Sequence, residues 1–266
     1  MSRRSHNRVR AVGFFIVAVG MTRSASADLV SVSGASFRRG PVAAESMVSA
    51  FGLALAPATQ MAAVVPLPTL LAGTRVTITD SAGTERVAPL FFVSPGQINY
   101  LVPAETRSGP ARVTVNGGPG HFLSGLLQVE EVAPGLFSAN GDGQGVAAAT
   151  AMRVGAHGAQ AAAPVFRFDA AQRKALAVPI DLGDPSEQVI LSIFGTGLRS
   201  RRPHPAVGVT IGGEIAAVLS AGPQREFAGL DQVNVRLPRS LVGRGTVDVL
   251  LQVDGKTANA VTVEIR

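Results

Sequence analysis

The sequence predicts an all-β protein built from two tandem immunoglobulin-like β-sandwich domains that arose by internal duplication. Three observations lead to this prediction. The 266-residue chain contains 30 Gly, 17 Pro and 16% charged residues, a balance typical of short strands joined by many turns. Several segments alternate apolar and polar residues with the two-residue period of a strand. The same motifs also occur twice, in the same order.

The first 27 residues have the composition of a secretory signal peptide. The positive segment MSRRSHNRVR precedes an apolar run at 11–21, and small residues follow at Ala25 and Ala27, the pattern that signal peptidase recognises. The apolar run is shorter than the ~20 residues that a transmembrane helix needs. We therefore expect a secreted protein, periplasmic or extracellular, that does not span the membrane after cleavage.

Removal of residues 1–27 also changes the charge of the chain. The mature part keeps 19 basic and 18 acidic residues, because the first 27 residues hold five arginines and no acid. No basic stripe remains for nucleic acid, so we expect no nucleic-acid partner. The chain has no cysteine, which excludes a small disulfide-stapled scaffold.

The duplication is clearest in one strand. SPGQINYLVP at 94–103 is matched by AGLDQVNVRLP at 228–238. The other matched segments are SAFGLAL (49–55) with SIFGTGL (192–198), RVTITD (75–80) with GVTIGG (208–213), and ARVTVNGG (111–118) with LLQVDGK (250–256). The repeat spans about 100 residues, the size of an immunoglobulin-like domain. We predict a first domain at 28–136, a Gly/Ala-rich connecting segment at 137–164 and a second domain at 165–266.

Alternation predicts which side chains of the repeated strand point inward. The inward set is Ile98, Tyr100 and Val102 in the first copy and Val233, Val235 and Leu237 in the second. Asn-Gly at 116–117 and Asp-Gly at 254–255 predict hairpin turns.

Seven residues of the repeat are candidate structural-motif residues. They are Gln97, Asn99, Pro103, Gly195, Gln232, Asn234 and Pro238. The prolines cannot donate to a β-ladder and so end each strand. We interpret the Gln and Asn side chains as framework that satisfies backbone groups of neighbouring loops. The alternative is that they form a ligand site.

Five segments carry a resemblance to a known family. They are APGLFSANGDGQG (133–145), FGTGL (194–198), VTIGG (209–213), SAGPQREFAGLDQVNV (220–235) and TANAVTVEI (257–265). In these segments the chain resembles the uncharacterised Solibacter-type C-terminal domain family of exported acidobacterial proteins. Ser220 stands where that family often has an aromatic residue. The resemblance implies an exported protein with a fold similar to IPT/TIG-type immunoglobulin-like domains, and it implies no activity.

The sequence contains few of the residues and motifs that are typical of enzymes. There is no Cys and no G-x-S-x-G motif, and the three histidines outside the signal segment, His121, His157 and His204, fall in predicted loops. GDGQG at 141–145 lacks the strand, helix and Lys that a phosphate-binding loop requires. We expect no catalytic residue, no cofactor and no enzyme activity.

Two acidic clusters are candidates for a metal site. Asn140 and Asp142 lie in one predicted turn, and Asp181, Asp184 and Glu187 lie in another. Oxygen ligands at short spacing can hold Ca²⁺, but solvated turns fit both clusters. The same aspartates, Asp142, Asp181 and Asp184, are the candidates if the protein is instead a hydrolase.

The expected role is structural or interaction work at the cell surface or in the periplasm, such as adhesion. A protein partner of the cell envelope would bind to the loops or along an exposed sheet edge. The alternative is glycan binding, which commonly uses exposed aromatic side chains. The chain has no Trp, one Tyr and 12 Phe.

Overall fold

The computed structural model describes residues 28–118, 120–155, 158–199 and 206–266. The predicted signal peptide and two of the loop histidines, His157 and His204, lie outside these ranges. Within them the chain forms 22 β-strands, no α-helix and a single 3₁₀ turn at Arg239–Leu241. The all-β prediction is confirmed. No helix in the described ranges has the length and apolarity that crossing a membrane requires.

Ten strands in the first half form two five-stranded sheets. They are β1 (Val30–Ser33), β2 (Val42–Ala43), β3 (Met47–Phe51), β4 (Gln60–Met61), β5 (Arg75–Thr79), β6 (Glu85–Val87), β7 (Leu90–Val93), β8 (Gln97–Leu101), β9 (Gly109–Asn116) and β10 (Phe122–Glu130). The strand order is β1-β3-β8-β7-β4 in one sheet and β2-β10-β9-β5-β6 in the other. Buried side chains of both sheets join in one hydrophobic cluster, which includes the predicted inward residues Ile98, Tyr100 and Val102.

The second half contributes twelve strands. They are β11 (Gly135–Leu136), β12 (Ala149–Val154), β13 (Gln160–Pro164), β14 (Phe166–Asp169), β15 (Lys174–Ala177), β16 (Gln188–Thr196), β17 (Val207–Ile211), β18 (Glu214–Pro223), β19 (Asp231–Arg236), β20 (Gly245–Val253), β21 (Lys256–Thr257) and β22 (Val261–Ile265). The main path is β13-β12-β16-β19-β18-β17-β20-β21, β11 pairs with β16, and β22 pairs with β20. β14 and β15 form a separate hairpin. A second hydrophobic cluster begins at Val132 and shares no residue with the first.

The internal repeat appears in the strand register. In the first half Ser49 lies opposite Asn99 and Phe51 opposite Gln97, and in the second half Ser192 lies opposite Asn234 and Phe194 opposite Gln232. The pairing of β5 with β9 likewise corresponds to that of β17 with β20. The matched sequence segments therefore occupy matched places in the two sheet systems.

The halves differ where the chain crosses from one sheet to the other. In the first half Pro89 separates β6 from β7, because proline has no N–H to continue the ladder. In the second half the ten-residue β18 pairs with β17 and then with β19, with an irregularity between Val218 and Ser220. This continuous strand joins the second half into one long sheet path.

The segment at 137–164 is part of the second sheet, although its Gly/Ala composition suggests a connection. β12 pairs with β16 over its whole length, and β13 pairs with β12. Ala149 and Ala151 point into the second cluster at 3% exposure each. Gly and Ala give little contrast between apolar and polar positions, so the sequence does not show the alternation of a strand here. The backbone hydrogen bonds to neighbouring strands place this segment in the sheet.

Of the two predicted hairpin turns, the Asp-Gly turn at 254–255 has the predicted form. Asp254 and Gly255 both have positive φ, 47° and 79°, as a type I′ turn between two paired strands requires. The Asn-Gly prediction is wrong in form: Asn116 is still in the ladder, opposite Phe122, and neither Asn116 nor Gly117 has the positive φ of a type I′ turn.

Candidate binding groove between the two halves

The repeated strand carries the same side-chain hydrogen bond in both halves. The Gln97 Nε2 donates to Asn99 Oδ1 at 2.9 Å, and the Gln232 Nε2 donates to Asn234 Oδ1 at 2.7 Å. The amides thus pair with one another, and among the described residues they make none of the expected bonds to neighbouring loop backbones. Of the other motif residues, Pro103 and Pro238 each lie two residues after the end of a strand, β8 and β19.

Gly195 permits a close backbone approach. A Cβ at this position would lie 2.6 Å from the carbonyl oxygen of Gly135 on the paired strand β11. A larger side chain at Gly195 would therefore clash with the backbone of β11.

The outward face of the sheet that contains β8 is covered by the second half. Side chains on this outward face are buried although they point away from the first cluster. Their exposed fractions are 1% for Val32, 3% for Ser49 and 6% for Asn99. A loop at 224–230 lies against this face, since a Cβ on Gly229 would fall 2.6 Å from the Leu101 Cδ1. The two halves therefore share a packed contact.

Thr196 holds this contact together. Its hydroxyl accepts a hydrogen bond from the Met47 backbone N–H at 2.9 Å and donates one to the Gly229 carbonyl at 2.7 Å. Thr196 is 1% exposed. One buried hydroxyl thus links β3 of the first half to the 224–230 loop of the second.

A buried ion pair lies beside Thr196. Asp231 is fully buried and accepts from the Leu198 N–H at 2.8 Å and from the Arg199 Nε at 2.6 Å. Arg199 also reaches Glu45 of the first half, at 3.4 Å between Nη1 and Oε1. Burial raises the pKa of Asp231, while the Arg199 charge opposes that effect. The first copy of the strand has Gly96 at the corresponding position, so this pair exists in one half alone.

Next to this contact lies an apolar groove with a cavity of about 400 Å³. This volume is within the range of small-molecule and peptide-anchor pockets. Its lining includes Met47, Phe91, Phe92, Phe137, Phe227 and Leu230. The first three belong to the first half and the others to the second. The groove therefore exists only because the two halves are packed together.

The rim of the groove exposes large apolar side chains. Val65, Met61 and Phe227 are 83%, 58% and 44% exposed, and all three line the groove. Residues 46–74, which supply part of this rim, contain no charged residue. Contiguous exposed apolar surface of this kind marks interaction sites on folded proteins.

Two polar residues interrupt the apolar lining. Asn99 lies on the first-half side, and Glu226, which is exposed, lies in the 224–230 loop. Of the motif residues predicted from the sequence, Asn99 is thus the one that the structure brings into the groove.

Asn259 positions one wall of the groove. Its side chain is buried, accepts from the Leu136 N–H at 2.8 Å, and donates to the carbonyls of Leu136 at 2.9 Å and Gly143 at 2.8 Å. The next residue after Leu136 is the groove residue Phe137. Asn259 thus joins two of the segments on which the family resemblance rests, 133–145 and 257–265.

The first acidic cluster is used within its own turn. The Ser138 hydroxyl donates to Asp142 Oδ1 at 2.8 Å. Asn140 Oδ1 accepts from the Ala175 N–H at 2.7 Å. These bonds hold the 138–145 turn against the β14–β15 hairpin.

Two of the three residues of the second acidic cluster, Asp181 and Glu187, pair with arginines. Asp181 pairs with Arg266 and Arg153, and Glu187 pairs with Arg153 at 3.6 Å. The Gly183 N–H and the Arg266 side chain lower the pKa of Asp181. In the described ranges no three metal-ligating side chains converge. His121 lies exposed in the loop between β9 and β10.

Most residues of the groove could not be identified as binding residues from the sequence. The uncharged run at 46–74 is the feature that could have pointed to the rim. Phe227, set between Glu226 and a small-residue turn, is a second such feature. The chain matches no family model, and no curated protein is significantly similar to it.

Proposed function

We propose that this chain is an exported, non-enzymatic protein-interaction module of the cell surface or periplasm, built as two immunoglobulin-like β-sandwich units. Its binding surface is the groove between the halves. The observation that carries this proposal is the apolar cavity of about 400 Å³ with exposed hydrophobic side chains at its rim. Apolar anchors that enter such a pocket supply most of the binding energy in protein interfaces.

The surroundings of Asp142 and Asp181 support a binding role over hydrolysis. A general acid or base needs a free carboxyl group within reach of substrate. Asp181 is engaged by arginines and Asp142 by the Ser138 hydroxyl. These aspartates lie in two turns that are separate from the groove lining.

Photo-crosslinking from inside the groove tests the proposal. A benzoylphenylalanine placed at Phe227 in the native host should form a discrete covalent adduct with one envelope protein. The matched control is Phe168 on the β14–β15 hairpin, which is 66% exposed and lies outside the groove lining. Absence of adducts from Phe227, or the same adducts from both positions, would contradict the proposal.

Glycan recognition is the second candidate, because Phe122 and Phe168 are each 66% exposed and could stack on sugar rings. A glycan array separates the two. Dose-dependent binding that is lost in Phe122→Ser or Phe168→Ser, and kept in Phe227→Ser, would favour the glycan role.

A further inference from the structure

The two copies of the repeated strand differ in one hydrogen bond. In the second half the Asn234 Nδ2 donates to the Ser220 hydroxyl at 2.9 Å, and Ser220 lies directly opposite on β18. In the first half the residue opposite Asn99 is Phe92, on β7. The phenylalanine side chain has no hydrogen-bond acceptor. The duplication therefore left the amide donor of Asn99 without the partner that its counterpart has.

This donor faces the groove. Asn99 is 6% exposed and lines the cavity. Its Oδ1 accepts from Gln97, while its Nδ2 has no hydrogen bond to a described residue. This nitrogen keeps contact with solvent, because the described buried side-chain atoms without a partner are Thr74 Oγ1 and Asp254 Oδ2. An occupant of the groove that displaces water from the Asn99 Nδ2 therefore has to supply an acceptor in its place.

The charge at the groove restricts the occupant further. Glu226 is the charged residue of the lining, and no Lys or Arg of the described chain lines the cavity. Arg225 is exposed and lies outside the lining. A carboxylate at the rim repels fatty acids and anionic lipid headgroups, which need basic residues for attraction. It favours an occupant with a neutral or positive flank.

The shape of the groove suits a chain longer than a small ligand. Small-molecule pockets enclose most of their ligand, whereas here the apolar surface continues outward over Val65, Met61 and Phe227. A peptide fits this surface, because apolar side chains can fill the cavity while the backbone runs along the rim.

We infer that the groove binds an apolar peptide segment of the partner protein, with a backbone carbonyl accepting from Asn99 Nδ2 and a basic residue beside Glu226. This inference rests on the proposed function and adds the chemistry of the partner.

Three pools of fluorescein-labelled nonapeptides test the inference. Each pool has a central mixture of Leu, Ile, Val, Phe and Met, and the flanks are Lys in one pool, Gln in the second and Glu in the third. Fluorescence anisotropy should show the Lys pool binding about fivefold more tightly than the Glu pool, as one exposed ion pair allows. Glu226→Gln should abolish this preference without loss of Gln-pool binding.

Substitutions at Asn99 test the hydrogen bond. Asn99→Leu should weaken binding of every pool about tenfold, the value of one net hydrogen bond. The matched control is Asn234→Leu, which alters the same position of the repeat outside the groove and should leave binding unchanged. Phe92→Ser is the second variant. It gives the Asn99 amide an internal acceptor, as in the second half. Because Phe92 also lines the groove, the reference is Phe92→Ala, which removes the ring without adding an acceptor, and Phe92→Ser should bind every pool more weakly than Phe92→Ala.

Several results would overturn the inference. They are absence of pool binding, a Glu pool that binds as tightly as the Lys pool, and equal effects of Asn99→Leu and Asn234→Leu. Binding to phosphatidylcholine vesicles that is lost in Phe227→Ser, with no pool binding, would assign the groove to lipid and also overturn it. If the Phe227 crosslink to one envelope protein persists while the pools fail, the interaction role stands and the peptide chemistry is wrong. If the pools bind but the crosslink is absent, the proposed function fails.

Discussion

Replacing Asn259 with leucine keeps the number of side-chain heavy atoms and their branching but removes three buried hydrogen bonds. The backbone N–H and carbonyl of Leu136 and the carbonyl of Gly143 all lose their partner. A buried group left unpaired costs about 1–3 kcal/mol. We therefore expect Asn259→Leu to lower the free energy of unfolding of the second half by about 3–9 kcal/mol. With a urea dependence of about 2 kcal/mol per molar, the midpoint falls by about 1.5–4.5 M.

The chain itself supplies a probe that separates the two cores. It has no Trp and one Tyr, and Tyr100 is fully buried in the first cluster. Urea unfolding followed by tyrosine fluorescence therefore reports the first core, while far-UV circular dichroism reports both. In Asn259→Leu the dichroism should show an early transition that the Tyr100 signal does not share.

Asn234→Leu is the matched control for this measurement. Its amide donates to Ser220 at an exposed position, where water replaces the lost partner, so the cost should stay below about 1 kcal/mol. If Asn259→Leu shifts the midpoint no more than Asn234→Leu does, the three bonds do not have the stabilising role assigned to them. If both probes shift together, the two clusters unfold as one unit.

Three further predictions concern the acid response, the contact between the halves and the N-terminus. Asp80 is buried and accepts from the Arg107, Thr84 and Ala82 N–H groups and from Arg86, which lowers its pKa to about 2. The stabilisation that the ionised Asp80 carboxylate gives to the folded state is present above about pH 4 and is lost as the pH falls towards 2. Asp80→Asn should therefore flatten the acid titration of Tyr100 fluorescence in that window, and a titration identical to that of the wild type would refute the assignment. Thr196→Val should weaken the contact between the halves by about 2–6 kcal/mol, because two backbone groups lose their partner. Hydrogen exchange at the Met47 amide should accelerate, and unchanged exchange would speak against the link. Mass spectrometry of the exported protein should find Asp28 as the first residue, and an intact N-terminus would contradict export by signal cleavage.

The strands and the repeat could be predicted because their signals are local. Alternation fixes which side of a strand is apolar, so Val233 and Val235 could be placed inward from the sequence alone. Proline at 103 and 238 ends a strand through its own covalent structure. Each of these features depends on a few neighbouring residues.

The strands β12 and β13 could not be predicted in the same way. Their Gly/Ala composition gives weak alternation and no β-branched pattern. β12 is held in the sheet by hydrogen bonding to β16, about 40 residues further along the chain, and β13 is held by pairing with β12. A pairing of this kind depends on tertiary structure.

The groove could not be predicted from the sequence because it also depends on tertiary structure. Phe92 and Phe227 are 135 positions apart and meet only where the two halves pack. The amide of Asn99 looks equivalent to that of Asn234 in the sequence. The difference between them lies in the residue opposite on the next strand, Phe92 or Ser220, and this requires the register of the sheet.

The side-chain amide of Asn99 offers the most direct test of the groove as a peptide-binding site. In a ¹H–¹⁵N correlation spectrum of the protein, addition of the Lys-flanked peptide pool should shift the Asn99 Nδ2 resonances downfield as the donor gains an acceptor. The Asn234 Nδ2 resonances, whose donor is already paired with Ser220, should stay in place. Shifts at both residues, or at neither under conditions where the pool is bound, would contradict a site built on the unpaired Asn99 donor.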